Sequence, residues 1–224
     1  MLITIPTVLN AEELAVVSGL IAKAKFVDGR LSAGQEATRV KHNEELNAQD
    51  SLITPLNNLV MGKLVQHPTY LAAALPLKIA APYYARYSKG MSYGNHIDDP
   101  VMGPPGQRYR SDCSLTVFLN SPEDYDGGEL VIKTSFGEQK IKLNAGDAVL
   151  YPSSSTHCVA EVTKGERLVA VTWLQSMVRA PEKRELLYKL HQARELLLKN
   201  AKDTTEAELV SNAYVNLVRM WSDV

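Results

Sequence analysis

The chain has little cysteine, no excess of charge of either sign and no long apolar run. Each of these shortages removes a class of protein. Two cysteines among 224 residues, Cys113 and Cys158, cannot build a disulfide framework. Against 25 acidic residues stand only 24 lysines and arginines, with no basic block. A sequence-independent grip on nucleic-acid phosphates is therefore not expected. Apolar runs fall well short of the ~20 residues that a membrane helix needs. The opening Met1-Leu2-Ile3-Thr4-Ile5-Pro6 has neither the positive start nor the apolar core of a signal peptide. These features lead us to expect a soluble protein in a reducing cytoplasm. Neither internal repeats nor low-complexity segments are found.

What is present is an ordinary globular composition, 45% hydrophobic and 22% charged. Hydrophobic periodicity separates three regions. Residues 1–76 read as helical and are expected to pack on the core. Asn10 with Glu13 has capping-box spacing ahead of Leu14, Val17, Leu20 and Ile21. A second helix should start near Asp50 or Ser51 and stop at His67-Pro68. Phe26 to Asn47, between them, reads as irregular. Residues 77–176 give eight candidate strands: Lys78–Tyr87, Tyr93–Asp98, Cys113–Asn120, Gly128–Lys133, Glu138–Leu143, Asp147–Tyr151, His157–Val162 and Arg167–Leu174. Breaks such as Pro104-Pro105-Gly106 and Lys164-Gly165 punctuate them, and no helical pattern intervenes. Such a series suggests a jelly roll or antiparallel sandwich. Residues 177–224 are helical again, with Pro181 in a first turn, a leucine stripe, and Thr205 with Glu208 as a second capping box. The expected fold class is α+β, a double-stranded β-helix (jelly-roll) core flanked by N- and C-terminal helices.

The chemistry concentrates in His96-Ile97-Asp98 and the distant His157. Side chains at i and i+2 of a strand share a face, so His96 and Asp98 point into one pocket. A jelly roll can pair its second and seventh strands, which brings His157 beside them. Two imidazoles and one carboxylate are the facial triad of a non-haem Fe(II) site, with coordination positions left open. A reducing cytoplasm is also where Fe(II) survives better. Arg167 shares a strand face with Val169, Val171 and Trp173. An inward arginine on so apolar a face needs an anion, and the far carboxylate of 2-oxoglutarate would supply one. Residues 99–112, directly after the ligand pair, have the length of a lid or substrate loop. Cys113 and Cys158 read as small buried hydrophobes. His42, His67 and His191 have no partners at ligand spacing.

The string Tyr87-Ser-Lys-Gly90-Met-Ser-Tyr93-Gly-Asn-His96-Ile-Asp98 resembles the YxxGxxYxxHxD signature of prolyl 4-hydroxylase-like 2-oxoglutarate dioxygenases. Tyr125-Asp126-Gly127-Gly128, Ala145-Gly146-Asp147, Pro152-Ser-Ser-Ser155 and Trp173-Leu-Gln-Ser176 extend the likeness to bacterial PKHD-type hydroxylases, the group that includes PiuC-like, iron-uptake-associated proteins. The resemblance covers nearly the whole chain. It implies a double-stranded β-helix that binds Fe(II), 2-oxoglutarate and O2, with L-ascorbate as a further requirement. His96, Asp98 and His157 would be metal ligands and catalytic residues. Arg167 would hold the distal carboxylate and Tyr87 would add a hydroxyl to it. Val169 departs from the pattern, because many relatives carry Ser or Thr there.

The expected function is thus an Fe(II)- and 2-oxoglutarate-dependent hydroxylase acting on a small-molecule or peptidyl substrate, a prolyl or other amino-acid-derived group being compatible. Alternatives are a cupin-like metal-dependent isomerase or hydrolase, and a non-catalytic metal or small-ligand sensor. The helical tail could form a homodimer seam.

Overall fold

The computed structural model describes every residue except 35 and 36. Among the described residues, nine strands form one antiparallel sheet and five form a second, facing sheet. The large sheet runs in the order Ile3–Ile5, Ala148–Pro152, Cys113–Phe118, Val162–Ser176, Tyr83–Ser88, Glu44–Leu46 and Phe26–Asp28. Tyr125–Gly127 and Pro76–Ile79 also pair with the long Val162–Ser176 strand. The small sheet runs Gly137–Ile141, Leu130–Thr134, His157–Val159, Ser92–His96 and Lys41–His42. This is the expected jelly-roll core.

Period-2 alternation sorts the central strands into two cores. Cys113, Leu115 and Val117 face outward onto a helical layer, whereas Phe118 faces into the sandwich. The helical layer consists of α1 (Ala11–Ile21), α2 (Ile53–Leu64) and α3 (Pro68–Ala74). Val17, Ile21, Leu56, Val60, Leu64 and Tyr70 bury themselves against that outer face. The capping box at Asn10 forms as expected: Asn10 Oδ1 accepts from the Glu13 N–H at 2.9 Å, and the Glu13 carboxylate accepts from the Asn10 N–H at 2.8 Å.

Several boundaries differ from the sequence expectations. The expected strand Lys78–Tyr87 is two strands, Pro76–Ile79 and Tyr83–Ser88. Pro82 lacks the N–H needed to continue the ladder. Arg167 lies inside a strand rather than at its start, because Val162–Ser176 runs unbroken through Lys164-Gly165. Gly165 has φ +73°, and a Cβ there would collide with the Asp124 carbonyl oxygen. It marks a close approach of the Tyr125 strand, not a chain reversal. Most consequential is the stretch 26–47, expected to be irregular. It contributes Phe26–Asp28 and Glu44–Leu46 to the large sheet and Lys41–His42 to the small one. These strands are two or three residues long, too short to show a period.

At the other end, α4 (Pro181–Asn200) and α5 (Thr205–Trp221) pack on each other, and α4 packs on α3. Leu75, Val178 and Leu187 form their buried contact with the core, joined by Leu217 and Trp221. The cap of α5 is Thr204, one residue earlier than expected, its hydroxyl accepting from the Ala207 N–H at 3.3 Å. Residues 99–112 hold a two-stranded ribbon, Val101–Met102 with Tyr109–Arg110.

Candidate active site

A cleft of about 1490 Å³ opens between the two sheets. His96 ends its strand and His157 begins the neighbouring one, and the two are direct register partners. Asp98 follows two residues after His96, just past the strand end. Among the described residues, His96, Asp98 and His157 are the one group of three side chains able to share a metal ion, their ligand atoms all within 4.8 Å of one another. His96 Nε2 lies 3.9 Å from Asp98 Oδ1, and His157 Nε2 lies 3.8 Å from Asp98 Oδ2. Those separations are too long for hydrogen bonds. The three groups surround a point without bonding to one another, as ligands of one ion do.

Their surroundings prepare the right lone pairs. His96 Nδ1 is 2.8 Å from the Gly94 carbonyl oxygen, and His157 Nδ1 is 2.9 Å from that of Ser155. A carbonyl only accepts, so each Nδ1 carries the proton and each Nε2 is free to ligate. Burial, and next the neighbouring His157, hold the His96 pKa down to about 4. A neutral imidazole is the form that binds metal. Tyr93 stacks on His96 with centroids 3.7 Å apart, and Tyr151 meets His157 edge-on at 5.1 Å. The Ser114 hydroxyl donates to Asp98 Oδ2, and Ser114 and Ser153 are hydrogen-bonded at 2.8 Å.

Arg167, Val171 and Trp173 line the same cleft, as strand alternation predicts, and Val169 is buried in the sandwich core. Arg167 is 1% exposed, and its Nε has no hydrogen-bond partner. Its guanidinium lies 5.1 Å from the Tyr87 ring centroid and 5.6 Å from that of Phe118. A buried, incompletely paired cation costs several kcal/mol, and a carboxylate entering the cleft would relieve that cost. Burial pushes the Tyr87 hydroxyl pKa up to about 12 against the pull of the Arg167 charge. That hydroxyl is therefore a hydrogen-bond donor at neutral pH.

Sequence reasoning missed several residues here. Tyr125 is buried beside Arg167, its hydroxyl without a well-formed hydrogen bond. It belongs to the Tyr-Asp-Gly-Gly turn, but nothing in that turn shows which way the ring points. Ser114 left no signal, because a serine in a strand has no distinctive spacing, and Ser153, in the turn just after Ala148–Pro152, entered only as part of the Pro152-Ser-Ser-Ser155 match. The cleft wall formed by Ser32, Lys41, Asn43 and Glu45 comes from the stretch expected to be irregular. The 99–112 ribbon does border the cleft, through Val101, Met102 and Tyr109. His42, His67 and His191 stay outside it, and His67 Nε2 lies 3.1 Å from the Pro6 carbonyl oxygen. Cys113 is buried as expected, whereas Cys158 is only half-buried.

Fold and site together define a class, the 2-oxoglutarate- and Fe(II)-dependent oxygenases. A profile of the 2OG-Fe(II) oxygenase superfamily matches residues 82–175. Among solved structures, a Trichoplax adhaerens prolyl hydroxylase in complex with a hypoxia-inducible-factor peptide superposes with TM-score 0.56 at 19% identity, covering 83% of this chain and 86% of that one. A Pseudomonas putida prolyl-4-hydroxylase gives TM-score 0.52 at 18% identity, over 78% and 92%. At such identities the likeness establishes the fold. Full-length relatives carry the identification further. A PKHD-type hydroxylase of Thioalkalivibrio sulfidiphilus is 54% identical over 100% of both chains. The PKHD-type hydroxylase YbiX of Escherichia coli is 40% identical, again over 100% of both. The chain belongs to the PKHD-type hydroxylases and is a 2-oxoglutarate-dependent dioxygenase.

Proposed function

We propose that His96, Asp98 and His157 hold the catalytic Fe(II), and that Arg167 and Tyr87, joined by Tyr125, hold the far carboxylate of 2-oxoglutarate. One observation carries this reading: two free imidazole Nε2 atoms and a carboxylate converge in the same cleft as a buried arginine with an unpartnered Nε. With both groups bound, the metal and 2-oxoglutarate supply the oxidant that puts one atom of O2 into a substrate C–H bond, leaving succinate and CO2. The chain contributes orientation and shelter. Ser114 fixes the Asp98 carboxylate. Tyr93 and Tyr151 hold the imidazole planes. Leu130, Val159 and Val171 line the cleft with apolar surface that limits water.

The substrate we propose is a small molecule or peptidyl group that is amino-acid-derived, prolyl included. That range rests on the family resemblance and on a cleft whose wall mixes charge with aromatic rings. The same resemblance supports L-ascorbate as a reductant and a link to iron uptake. The two free cysteines favour a cytoplasmic setting. The charge balance of −1 speaks against a nucleic-acid substrate. No helix among the described residues is long and apolar enough to cross a membrane.

Anaerobic titration with Fe(II) tests the site. The wild-type chain should bind one equivalent, and a folded Asp98→Ala variant should not retain it. Full retention by that variant would remove the triad. Addition of 2-oxoglutarate and O2 with candidate substrates should then give a product heavier by one oxygen atom.

A further inference from the structure

One wall of the cleft carries a buried ion pair that the proposed metal and co-substrate sites do not use. The stretch 41–46 crosses from one sheet to the other. Lys41 pairs in register with Tyr93 in the small sheet, and Glu45 pairs with Ala85 in the large sheet. Their side chains close the gap between the sheets, with Lys41 Nζ 2.5 Å from Glu45 Oε1. The Ser32 hydroxyl bridges them, accepting from Lys41 at 3.0 Å and donating to Glu45 Oε2 at 2.5 Å. Lys41 and Glu45 are 8% and 7% exposed, and all three residues line the cleft.

A buried ion pair is a poor stabiliser, because desolvation of both charges offsets their attraction. This pair also keeps bonding capacity in reserve. An ammonium has three N–H donors and two are used; each Glu45 oxygen has a second lone pair. Between the two charges in sequence sits Asn43, 3% exposed and lining the cleft. Neither its Oδ1 nor its Nδ2 is in a well-formed hydrogen bond, although the Tyr87 hydroxyl is a neighbour. A buried amide left without partners is costly, because its lost hydration is not replaced. The fold makes room for it: a Cβ on Gly29 would collide with Asn43 Oδ1.

We infer that Lys41, Glu45 and Asn43 form a receptor for the head group of a free α-amino acid, which is the primary substrate. The inference rests on the hydroxylase reading above and deepens it. The substrate carboxylate would take the spare Lys41 donor and the Asn43 amide, and the substrate ammonium would take the spare lone pairs of Glu45. The pair is neutral as a whole, so a ligand with a single charge leaves one partner uncompensated. Lys41 and Glu45 are in contact, so the matching ligand charges must also be adjacent. Adjacent charges occur on one carbon in an α-amino acid, whereas a peptide separates its termini. The site is placed for chemistry on the side chain. Lys41 Nζ lies 5.5 Å from the Tyr93 ring centroid, and Tyr93 stacks on His96. A head group held here would direct its side chain along the cleft toward the metal-ligand triad.

The test is calorimetric titration of the full chain, loaded anaerobically with Fe(II) and 2-oxoglutarate, with the proteinogenic L-amino acids. Those that bind are compared with their N-acetyl and carboxamide derivatives. At least one free amino acid should bind, and either cap should weaken it about tenfold or more, as loss of one charge-assisted contact would. Glu45→Gln should weaken the free amino acid and shift preference toward the N-acetyl anion. Lys41→Gln should shift it toward the carboxamide cation. Absence of binding by every free amino acid, or indifference to both caps, would overturn the proposal. The capping series on the wild-type chain decides alone if either variant fails to fold. Binding of 2-oxoglutarate to the same preparation separates the two readings. If it binds and no amino acid does, only the head-group receptor falls; if it does not bind, the receptor falls with the hydroxylase site.

Discussion

At the scale of single residues, the site works by leaving polar groups unfinished. The Nε2 atoms of His96 and His157, the proposed metal ligands, are free because their Nδ1 partners are backbone carbonyls. Arg167 is available because its buried Nε lacks a partner. Arg167→Ala should weaken 2-oxoglutarate binding by about 1.5–3 kcal/mol, the scale of a charged hydrogen bond, with Fe(II) binding nearly unchanged. An unaltered 2-oxoglutarate titration would assign the carboxylate to another residue, with Tyr125 next in place. Ser114 acts through Asp98 and is a positioning residue. Ser114→Ala should lower Fe(II) affinity about 10–100-fold, as loss of an outer hydrogen bond to a ligand does, and leave 2-oxoglutarate affinity for the metal-loaded protein close to wild type. Anaerobic metal competition would read the first effect and calorimetry the second.

At the scale of elements, the helical layer covers one side of the large sheet and leaves the other side to the cleft. Leu56, Val60 and Leu64 put an i, i+4, i+8 stripe of α2 onto the sheet, all 0% exposed. Leu56→Ala should destabilise the fold by about 2–5 kcal/mol through lost burial and the cavity left behind. Denaturant unfolding checks this, and an unchanged midpoint would mean that the layer collapses onto the gap. Elements with a full period are legible in the amino-acid sequence: α1 with its Asn10 cap, α2 with its apolar stripe, and the strand carrying Arg167, Val169, Val171 and Trp173 on one face. Elements of two or three residues are not. Lys41–His42 and Glu44–Leu46 have no period of their own and exist because longer neighbours offer them a ladder. The 15-residue strand reads as two in the sequence, because Gly165 has the look of a turn when it is a contact.

At the scale of the whole molecule, the C-terminal helices are tied to the jelly roll rather than appended to it. Val178 and Leu187 are fully buried, and Arg184, 3% exposed, donates to the Val178 and Arg179 carbonyls at 2.7 and 2.8 Å. A chain ending at Met177 should therefore lose stability and show a lower melting temperature. Leu186, Leu196, Leu209 and Met220 remain exposed on the outer side of the tail. Sedimentation of the full chain would show whether that side joins a second copy, and a monomer would confine the tail to intramolecular packing.

By itself the sequence determined the class of chemistry. An HxD pair at a strand end, a distant histidine and an inward arginine are local patterns, and the alternation that turns Arg167 inward is fixed by strand backbone geometry alone. It also determined the type of the longer elements, because hydrophobic periods of 2 and 3.6 cannot be exchanged. What only the tertiary structure decided was which residues meet across long sequence gaps. His157 faces His96 because their strands pair. Tyr125 reaches Arg167 because its short strand joins the long one. Lys41 and Glu45, which have the spacing of an ordinary i, i+4 surface pair, are instead buried in the cleft wall. The chain changes sheets between them, and a change of sheet is a property of the packed molecule that no local spacing encodes.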